Sequence, residues 1–158
     1  MSKKLKPYII SIALALGVGA LSAFLTRESM NLYEEITRPP LSPPSWLFPV
    51  VWTILYILMG IGSATIYTNE TAAPIEKESA LGTYAASLLA NFGWSLIFFN
   101  HRAFFFAFLW LLVLLFLIIK MIVQFYKIRP LAAYLQIPYA IWVSFAGYLN
   151  FAIWILNR

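Results

Sequence analysis

The stretch that decides the fold runs from Arg38 to Tyr56 and reads RPPLSPPSWLFPVVWTILY. Its first seven residues include four prolines, and a regular helix is excluded there because proline lacks an amide donor and restricts the residue before it. The residues that follow are almost entirely apolar. We expect a helix to begin at Pro43 or Pro44, with Ser42 or Ser45 as its cap.

The predicted helix carries two aromatic residues on one face. Trp52 and Tyr56 are four residues apart, which places both rings on the same side of a helix. Two interpretations follow. The proline-rich stretch is either a fixed loop that closes over an aromatic pocket or only the point where the chain enters a membrane.

The composition is that of a membrane protein. The 158 residues are 62% hydrophobic and 11% charged, with a mean hydropathy of +0.81, whereas soluble domains are about 25% charged. The chain has no cysteine, which excludes disulfides, thiolate nucleophiles, iron–sulfur clusters and sulfur-ligated zinc. Its basic residues are not interleaved with exposed aromatic residues on a soluble face, so we expect no nucleic-acid partner.

Five segments are long enough to cross a hydrocarbon core, which takes about 20 apolar residues. They are residues 7–25, 46–67, 80–99, 103–126 and 130–156. Short polar links between the later segments require successive helices to run in opposite directions. The sequence therefore predicts an all-α integral membrane protein, with residues 1–158 forming one five-helix up-down bundle and a long first loop at residues 26–45.

The first segment has a second interpretation. Three lysines followed by an apolar run and small residues also fit a secretory signal peptide. The small residues fall on one helical stripe, a spacing that lets membrane helices pack closely and that a cleaved signal does not need. The stripe, which favours a retained helix, consists of Ser11, Ala15, Gly19 and Ala23.

The distribution of cations predicts the orientation. Short cytoplasmic loops carry an excess of lysine and arginine. One side of the bundle receives Lys3, Lys4, Lys6, Lys77, Lys120, Lys127 and Arg129, and the other receives Arg27, Arg38, Arg102 and Arg158. We therefore expect a cytoplasmic amino terminus, in what we take to be a bacterial cell membrane, with the first loop and the carboxyl terminus outside.

The first loop is long enough to have a function, because loops beyond about 12 to 15 residues are commonly lids or binding loops. Within it, residues 30–36 are typical of a short amphipathic turn, with Leu32 and Ile36 on its apolar side and Glu34 and Glu35 facing water. Tyr33 lies on this turn. It is either part of a lid or an aromatic residue at the membrane interface.

Few residues offer chemistry inside the membrane. No Asp, Glu or Arg falls in the middle of a predicted span, which argues against an ion-coupled carrier. His101 is the only histidine and lies in a three-residue turn, where we interpret it as an interfacial polar residue. We expect no metal and no cofactor.

Aromatic and amide residues meet at one depth, counted at about 1.5 Å per helical residue. Trp52 on the second span, Asn91 with Trp94 on the third, and Ala146 with Asn150 on the fifth all fall in the half of the bilayer that carries the long loop. We predict a wide, flat site whose walls are Trp52, Tyr56, Trp94 and Trp142, whose polar anchors are Asn91 and Asn150, and whose space comes from Ala146 and Gly147. Such a lining suits a planar, mostly apolar ligand. We assign Trp110 and Trp154 to packing.

A second pattern lies on the third span. Gly82, Ala86 and Ala90 recur every four residues, a spacing typical of close helix contacts within a bundle or between protomers. We expect a homodimer through this helix.

Three ordered motifs carry a family resemblance that covers nearly the whole chain. They are the proline-rich entry quoted above, NFGWSLIFF in the third span and PYAIWVSFAGYLNFAIWILN in the fifth. The chain resembles the translocator protein and tryptophan-rich sensory protein family, also called the peripheral benzodiazepine receptor family.

The resemblance implies a five-helix membrane protein, often dimeric, that binds porphyrins and isoquinoline or benzodiazepine-type ligands beneath its first loop. Carried over by motif, the implied ligand-facing positions are Tyr33, Pro43, Trp52, Asn91, Trp94, Trp142, Phe145, Ala146 and Leu149. Bacterial members are associated with light- and oxygen-dependent breakdown of protoporphyrin, for which Trp52 and Trp142 would be the redox partners. The sterol motif of animal members is imperfect here, because Arg158 lies ten residues beyond Tyr148. A formal match at Val123, Tyr126 and Arg129 is too weak a pattern to support sterol binding.

The sequence is compatible with three functions. The first is a receptor for tetrapyrroles such as protoporphyrin IX, with a sensing or transport role. The second is an enzyme that degrades porphyrin in light and oxygen without a metal or a general base. The third is a structural membrane scaffold whose aromatic residues only fill the bundle.

Overall fold

The computed structural model describes residues 3–29 and 31–158, and these residues are 82% helical with no strand among them. In chain order the helices are α1 (Leu5–Leu25), α2 (Leu32–Glu35), α3 (Leu47–Tyr67), α4 (Pro74–Ser95), α5 (Phe104–Ile128), α6 (Pro130–Tyr134) and α7 (Ile137–Asn157). A 3₁₀ turn at Arg27–Ser29 precedes α2, and a π-helical turn at Leu96–Asn100 extends α4.

Among the described residues, five helical stretches are long and apolar enough to cross a membrane. They are Leu5–Leu25, Leu47–Tyr67, Pro74–Asn100, Phe104–Ile128 and Pro130–Asn157. The predicted all-α fold with five spans is therefore confirmed, and the chain is an integral membrane protein. α1 packs on α3, α4 on α5, and α5 on α7.

The entry into α3 differs from the prediction. The helix begins at Leu47, after Trp46 as N-cap, and no side chain caps it. The predicted caps are bonded elsewhere, since Ser42 donates to the carbonyl of Pro39 and Ser45 to the carboxylate of Glu34. The prolines at positions 39, 40, 43 and 44 lie in irregular chain and turns, and it is Pro49 that occupies the first turn of α3. A missing amide has no cost there, because first-turn amides lack intrahelical partners.

Two other boundaries also differ. The helix predicted to begin at residue 80 begins at Pro74, because the polar residues that follow this proline are helical although they are too polar for the membrane core. The fifth span is not one continuous helix, since α6 ends at Tyr134 and α7 starts at Ile137. Pro138 explains the break, because its ring and missing amide disrupt the helical turn that precedes it.

The helices pack most closely in the half of the bundle that contains the amino terminus. There α1 and α3 are in close contact, with Tyr8 and Thr65 hydroxyls 3.1 Å apart and Ser11 and Ser63 hydroxyls 2.6 Å apart. Fully buried side chains of α3 and α5, among them Met59 and Ile118, belong to the core of this half. The opposite half of the bundle, beneath the long loop, contains a cavity.

Candidate functional site

A cavity of about 580 Å³ lies between α1, α3, α4 and α7 on the side of the long loop. Its walls are mostly aromatic and aliphatic, and none of the described residues that line it is charged. The lining residues are Leu16, Gly19, Ala20, Ser22, Ala23, Thr26, Tyr33, Ser45, Phe48, Pro49, Trp52, Thr53, Tyr56, Asn91, Trp94, Ser95, Phe98, Phe99, Trp142, Ala146, Leu149, Asn150 and Ile153.

Three of the six tryptophans form the aromatic walls. The Trp52 ring lies 5.7 Å from that of Tyr56 and 6.4 Å from that of Tyr139. The Trp94 ring stacks on Phe98 at 5.1 Å. Such ring pairs hold one another in defined orientations and so preform flat surfaces.

A second aromatic contact joins α3 and α7 at the same level. Phe48 packs edge-on against Trp142, with ring centroids 5.8 Å apart. Trp142 in turn contacts Phe145 at 5.6 Å. The Trp142 ring is therefore braced from two sides.

Two asparagines connect the walls. Asn91 on α4 donates a hydrogen bond of 3.1 Å to the Tyr56 hydroxyl on α3. Asn150 on α7 accepts from the Trp94 indole at 3.0 Å and donates to the backbone carbonyl of Phe104 at 2.7 Å. Both amides are buried. Asn150 thus fixes the Trp94 ring and joins three helices, in addition to lining the cavity.

A glycine on α1 contacts the inner end of the cavity. Gly19 faces the Tyr56 ring so closely that a side chain at this position would collide with it. Since Tyr56 also accepts the hydrogen bond from Asn91, the close approach of α1 helps to set the position of the ring.

The long loop closes the cavity at its outer end. Tyr33 on α2 is only 6% exposed, lines the cavity and packs edge-on against Phe48 at 5.1 Å. Its hydroxyl donates to the carbonyl of Pro43 within the proline-rich stretch, and the Arg38 guanidinium lies 4.7 Å from its ring centroid. These contacts favour the lid over the interfacial interpretation of Tyr33. The buried Leu32 and exposed Glu34 match the predicted amphipathic turn, whose first residue, Met30, lies outside the described residues.

The lid is also tied to the bundle around its edge. Four residue pairs hold it to the turn between α4 and α5 and to α7. They are the ion pair of Glu35 with Arg102 at 2.9 Å, the hydrogen bonds of Asn157 with both backbone groups of Thr37 at 2.9 and 2.8 Å, and the bonds of Ser29 with Asn100 at 2.8 Å and of Tyr148 with the Pro40 carbonyl at 2.8 Å. A loop fixed at this many points is a preformed cover.

Most of the residues predicted from the sequence lie together on the cavity wall. Tyr33, Trp52, Tyr56, Asn91, Trp94, Trp142, Ala146, Leu149 and Asn150 all line it. Pro43 and Phe145 do not. Pro43 contributes its carbonyl to Tyr33, and Phe145 supports the Trp142 ring from behind. Gly147 faces Leu111 of α5 instead of the cavity.

The tryptophans assigned to packing lie outside the cavity. Trp110 donates to the carbonyl of Ala90 at 2.6 Å, and Trp154 contacts Phe105 at 4.6 Å. His101 is exposed at the turn after α4. Within the described part of the chain, no group of three His, Asp or Glu side chains could hold a metal ion.

The wall supplied by α1 was not predicted. It consists of Leu16, Gly19, Ala20, Ser22, Ala23 and Thr26. The available signal was the stripe of small residues on the first span, which indicated a close neighbour without indicating a cavity. The aromatic residues Phe48, Phe98 and Phe99 were also missed, because isolated phenylalanines are common in any apolar helix.

Comparison with known proteins shows the family to which this chain belongs. The family model described as "TspO/MBR family" matches residues 11–155 of the chain. The chain belongs to the TspO/MBR family.

Similar proteins of this family occur in bacteria and animals. The chain is 35% identical over 158 residues to "Tryptophan-rich protein TspO" of Chlorobaculum tepidum, with 99% of each chain covered. It is 34% identical over 141 residues to "Translocator protein" of Bos taurus, covering 89% of this chain and 83% of that protein. It is also 31% identical over 125 residues to "Tryptophan-rich sensory protein" of Cereibacter sphaeroides, covering 79% and 76%. The resemblance drawn from the three motifs is therefore confirmed, and this TspO/MBR protein has relatives named as translocator and sensory proteins.

Proposed function

We propose that this TspO/MBR protein is a membrane receptor whose cavity binds porphyrins, tetrapyrroles such as protoporphyrin IX, and isoquinoline or benzodiazepine-type molecules. Sensing or transport of the tetrapyrrole would follow from this binding. The observation that carries the proposal is the preformed, uncharged cavity of about 580 Å³ with tryptophans on three of its walls. Its volume falls within the range of roughly 300–1,000 Å³ that is usual for small-molecule sites.

The shape of the lining favours a flat ligand. Trp52 and Trp142 present rings from α3 and α7, and Trp94 presents a third from α4. Aromatic rings attract a planar π-system through stacking and edge contacts, each worth about 0.5–1.5 kcal/mol beyond burial. The braced positions of these rings reduce the ordering that binding would otherwise require.

The presence of a lid over the cavity is consistent with a ligand that enters the cavity and is then enclosed. Tyr33 closes the outer end of the cavity, and its hydroxyl is bonded to the proline-rich stretch that leads into α3. Movement of this lid would connect occupancy of the cavity to the surface of the membrane, where a sensing partner or an acceptor of the ligand could respond.

A titration tests the proposal. Purified protein is titrated in the dark with protoporphyrin IX while tryptophan fluorescence is recorded. We expect saturable quenching with one porphyrin per chain, and a clearly weaker affinity in the Trp94→Leu variant than in Trp154→Leu, which removes a tryptophan outside the cavity. If the quenching does not saturate, or if the two variants bind protoporphyrin IX with equal affinity, the structural scaffold would be the remaining function.

A second function has one observation in its favour. Trp52 contacts the rings of Tyr56 and Tyr139 and lines the cavity, so its indole lies where a bound porphyrin could take one electron from it. In light, an excited porphyrin would accept one electron from Trp52 or Trp142, and molecular oxygen would act as the terminal oxidant in its breakdown. No metal or general base is needed for that electron transfer.

Illumination of the saturated complex separates the two functions. Degradation predicts faster loss of porphyrin absorbance in the wild type than in Trp52→Phe and Trp142→Phe variants at equal occupancy. Equal rates in all three proteins would retain the receptor and remove the enzyme.

We also propose a homodimer through α4. Gly82 faces open space, so a neighbouring helix can approach it closely, and Ala86 is half-buried on the same stripe. Ala90 is buried inside the bundle, where it accepts a hydrogen bond from Trp110, and is not available to a second protomer. The cation count supports a cytoplasmic amino terminus with the lid and carboxyl terminus outside, and the similarity to a bacterial relative supports a bacterial cell membrane. Accessibility of single introduced cysteines to an impermeant reagent tests this orientation.

A further inference from the structure

A second cavity lies at the opposite end of the bundle from the lid. It has a volume of about 450 Å³ and forms a groove between α1, α3 and α4. The residues that line it are Lys3, Lys6, Pro7, Ile10, Ser11, Leu14, Ser63, Ala64, Tyr67, Leu81 and Tyr84. None of these residues belongs to the aromatic cavity, so the two sites are separate.

The groove changes in chemistry along α1. Lys3 and Lys6 lie at its outer rim, Ser11 lies about 7.5 Å further along the helix, and Leu14 about 4.5 Å beyond Ser11. Cations, a hydroxyl and an aliphatic side chain therefore follow one another from the membrane surface inward. A phospholipid has the matching order of parts, namely a phosphate, glycerol esters and an acyl chain.

The remaining walls add an aromatic residue at the rim and further hydroxyl groups. Tyr67, at the end of α3, is an exposed aromatic residue at the level of the rim. Ser63 lies on the floor with its hydroxyl 2.6 Å from that of Ser11, and Tyr84 lies beside it. Leu81 lies on α4 about one helical turn nearer to Pro74 than Tyr84, so an aliphatic side chain also lies between the rim and the hydroxyl groups. Hydroxyl groups are thus concentrated at the level where ester carbonyls need hydrogen-bond donors.

We infer that this groove binds one anionic phospholipid from the leaflet on the amino-terminal side. The headgroup phosphate would lie between Lys3 and Lys6, and one acyl chain would pass Ile10 at the level of Ser11 and continue inward along Leu14. A membrane lipid fits better than a soluble anion, because Leu14 is 65% exposed within a membrane span and a soluble anion would make no use of it. A second copy of the chain across the groove fits less well, because two-fold symmetry would bring its own Lys3 and Lys6 towards the same rim.

Native mass spectrometry of the full-length protein tests this site. Protein is released from bilayers of equal phosphatidylglycerol and phosphatidylcholine into mild detergent, and the lipids that remain bound are counted. We expect one phosphatidylglycerol per chain to be retained in preference to phosphatidylcholine. The double variant Lys3→Gln/Lys6→Gln should weaken retention by roughly fivefold for each lysine removed. The matched control, Lys120→Gln/Lys127→Gln, removes two cations of α5 that lie outside the groove and should retain the lipid.

A third variant tests the acyl chain separately. Leu14→Trp keeps both lysines but fills the apolar part of the groove, and it should reduce retention about as much as the loss of one lysine. Equal retention of the two lipids by the wild type, or equal loss in the two double variants, would overturn the site. Full retention in Leu14→Trp would overturn the placement of the chain. Binding of protoporphyrin IX in the other cavity should be unchanged in all variants, which also shows that they fold.

Discussion

The side-chain amide of Asn91 on α4 donates a hydrogen bond of 3.1 Å to the hydroxyl of Tyr56 on α3, and both groups are buried. This bond joins two walls of the aromatic cavity, whose described lining residues carry no charge. It also orients a ring that contacts Trp52 at 5.7 Å. The polar groups of the site are thus used first to hold the aromatic surfaces in place.

The losses caused by removing the two partners of this bond should therefore not add. Asn91→Leu leaves the Tyr56 hydroxyl buried without its donor and should lower the free energy of unfolding by about 1–3 kcal/mol. In the Asn91→Leu/Tyr56→Phe double variant the loss should be smaller than the sum of the two single losses. Thermal unfolding in one detergent measures the cycle, and strictly additive losses would show that the bond contributes nothing.

Two glycines of α1 give a matched pair. Gly19→Ala places a methyl group against the Tyr56 ring and should destabilise the bundle by about 1–3 kcal/mol while weakening ligand binding. Gly17 has nothing within 4 Å, so Gly17→Ala should be neutral or stabilise the helix by up to about 1 kcal/mol. Unfolding midpoints measure the change in stability of each variant, and the dark titration with protoporphyrin IX measures the change in ligand binding. If the two variants behave alike, the close approach of α1 to Tyr56 does not shape the cavity.

The hydroxyl of Tyr33 should control how long a ligand stays bound. Tyr33→Phe keeps the ring on Phe48 but removes the bond to the Pro43 carbonyl, and a bond of this kind corresponds to about a two- to tenfold change in rate. We expect faster dissociation of protoporphyrin IX in stopped-flow displacement. Tyr8→Phe, which removes a hydroxyl at the far end of the bundle, is the control. Pro43→Ala/Pro44→Ala should act in the same direction as Tyr33→Phe, and unchanged dissociation in all of these variants would remove the lid from the mechanism.

The proposed dimer makes a prediction for Gly82. Gly82→Leu adds a side chain where the structure leaves open space, so the monomer should fold normally while a close contact between α4 helices is blocked. Light scattering in detergent should then give a monomer where the wild type is a dimer. Gly17→Leu, on an open face of α1, is the control. A dimer that persists in Gly82→Leu would place the interface elsewhere.

Much of this architecture follows from the sequence because a membrane restricts the alternatives. Five apolar segments with short links leave few arrangements other than an up-down bundle. Trp52, Asn91 and Ala146 were placed at one level because helical rise converts sequence position into depth. That estimate needs no knowledge of which helices are neighbours, and all three residues do line one cavity.

Other features depend on tertiary contacts that a single sequence does not encode locally. The wall supplied by α1 is built from small residues such as Gly19 and Ala23, whose role depends on the helix opposite them. The break before α7 was missed because the segment around it is apolar apart from Gln136, although Pro138 was its local cause. The family resemblance implied that Phe145 contacts the ligand, but Phe145 packs on Trp142 and does not line the cavity. Which of these two positions a side chain takes depends on the rotation of α7 about its axis, which the sequence does not specify.

The dissociation constant of protoporphyrin IX in the dark, measured for a variant that fills the cavity, tests the central claim most directly. Ala146 lies on the cavity wall of α7, and Ala152 lies on the same helix outside the cavity. We predict saturable binding to the wild type and to Ala152→Leu with similar constants, and binding at least about tenfold weaker to Ala146→Leu because its side chain occupies the ligand's space. Equal constants for all three folded proteins would contradict binding in this cavity.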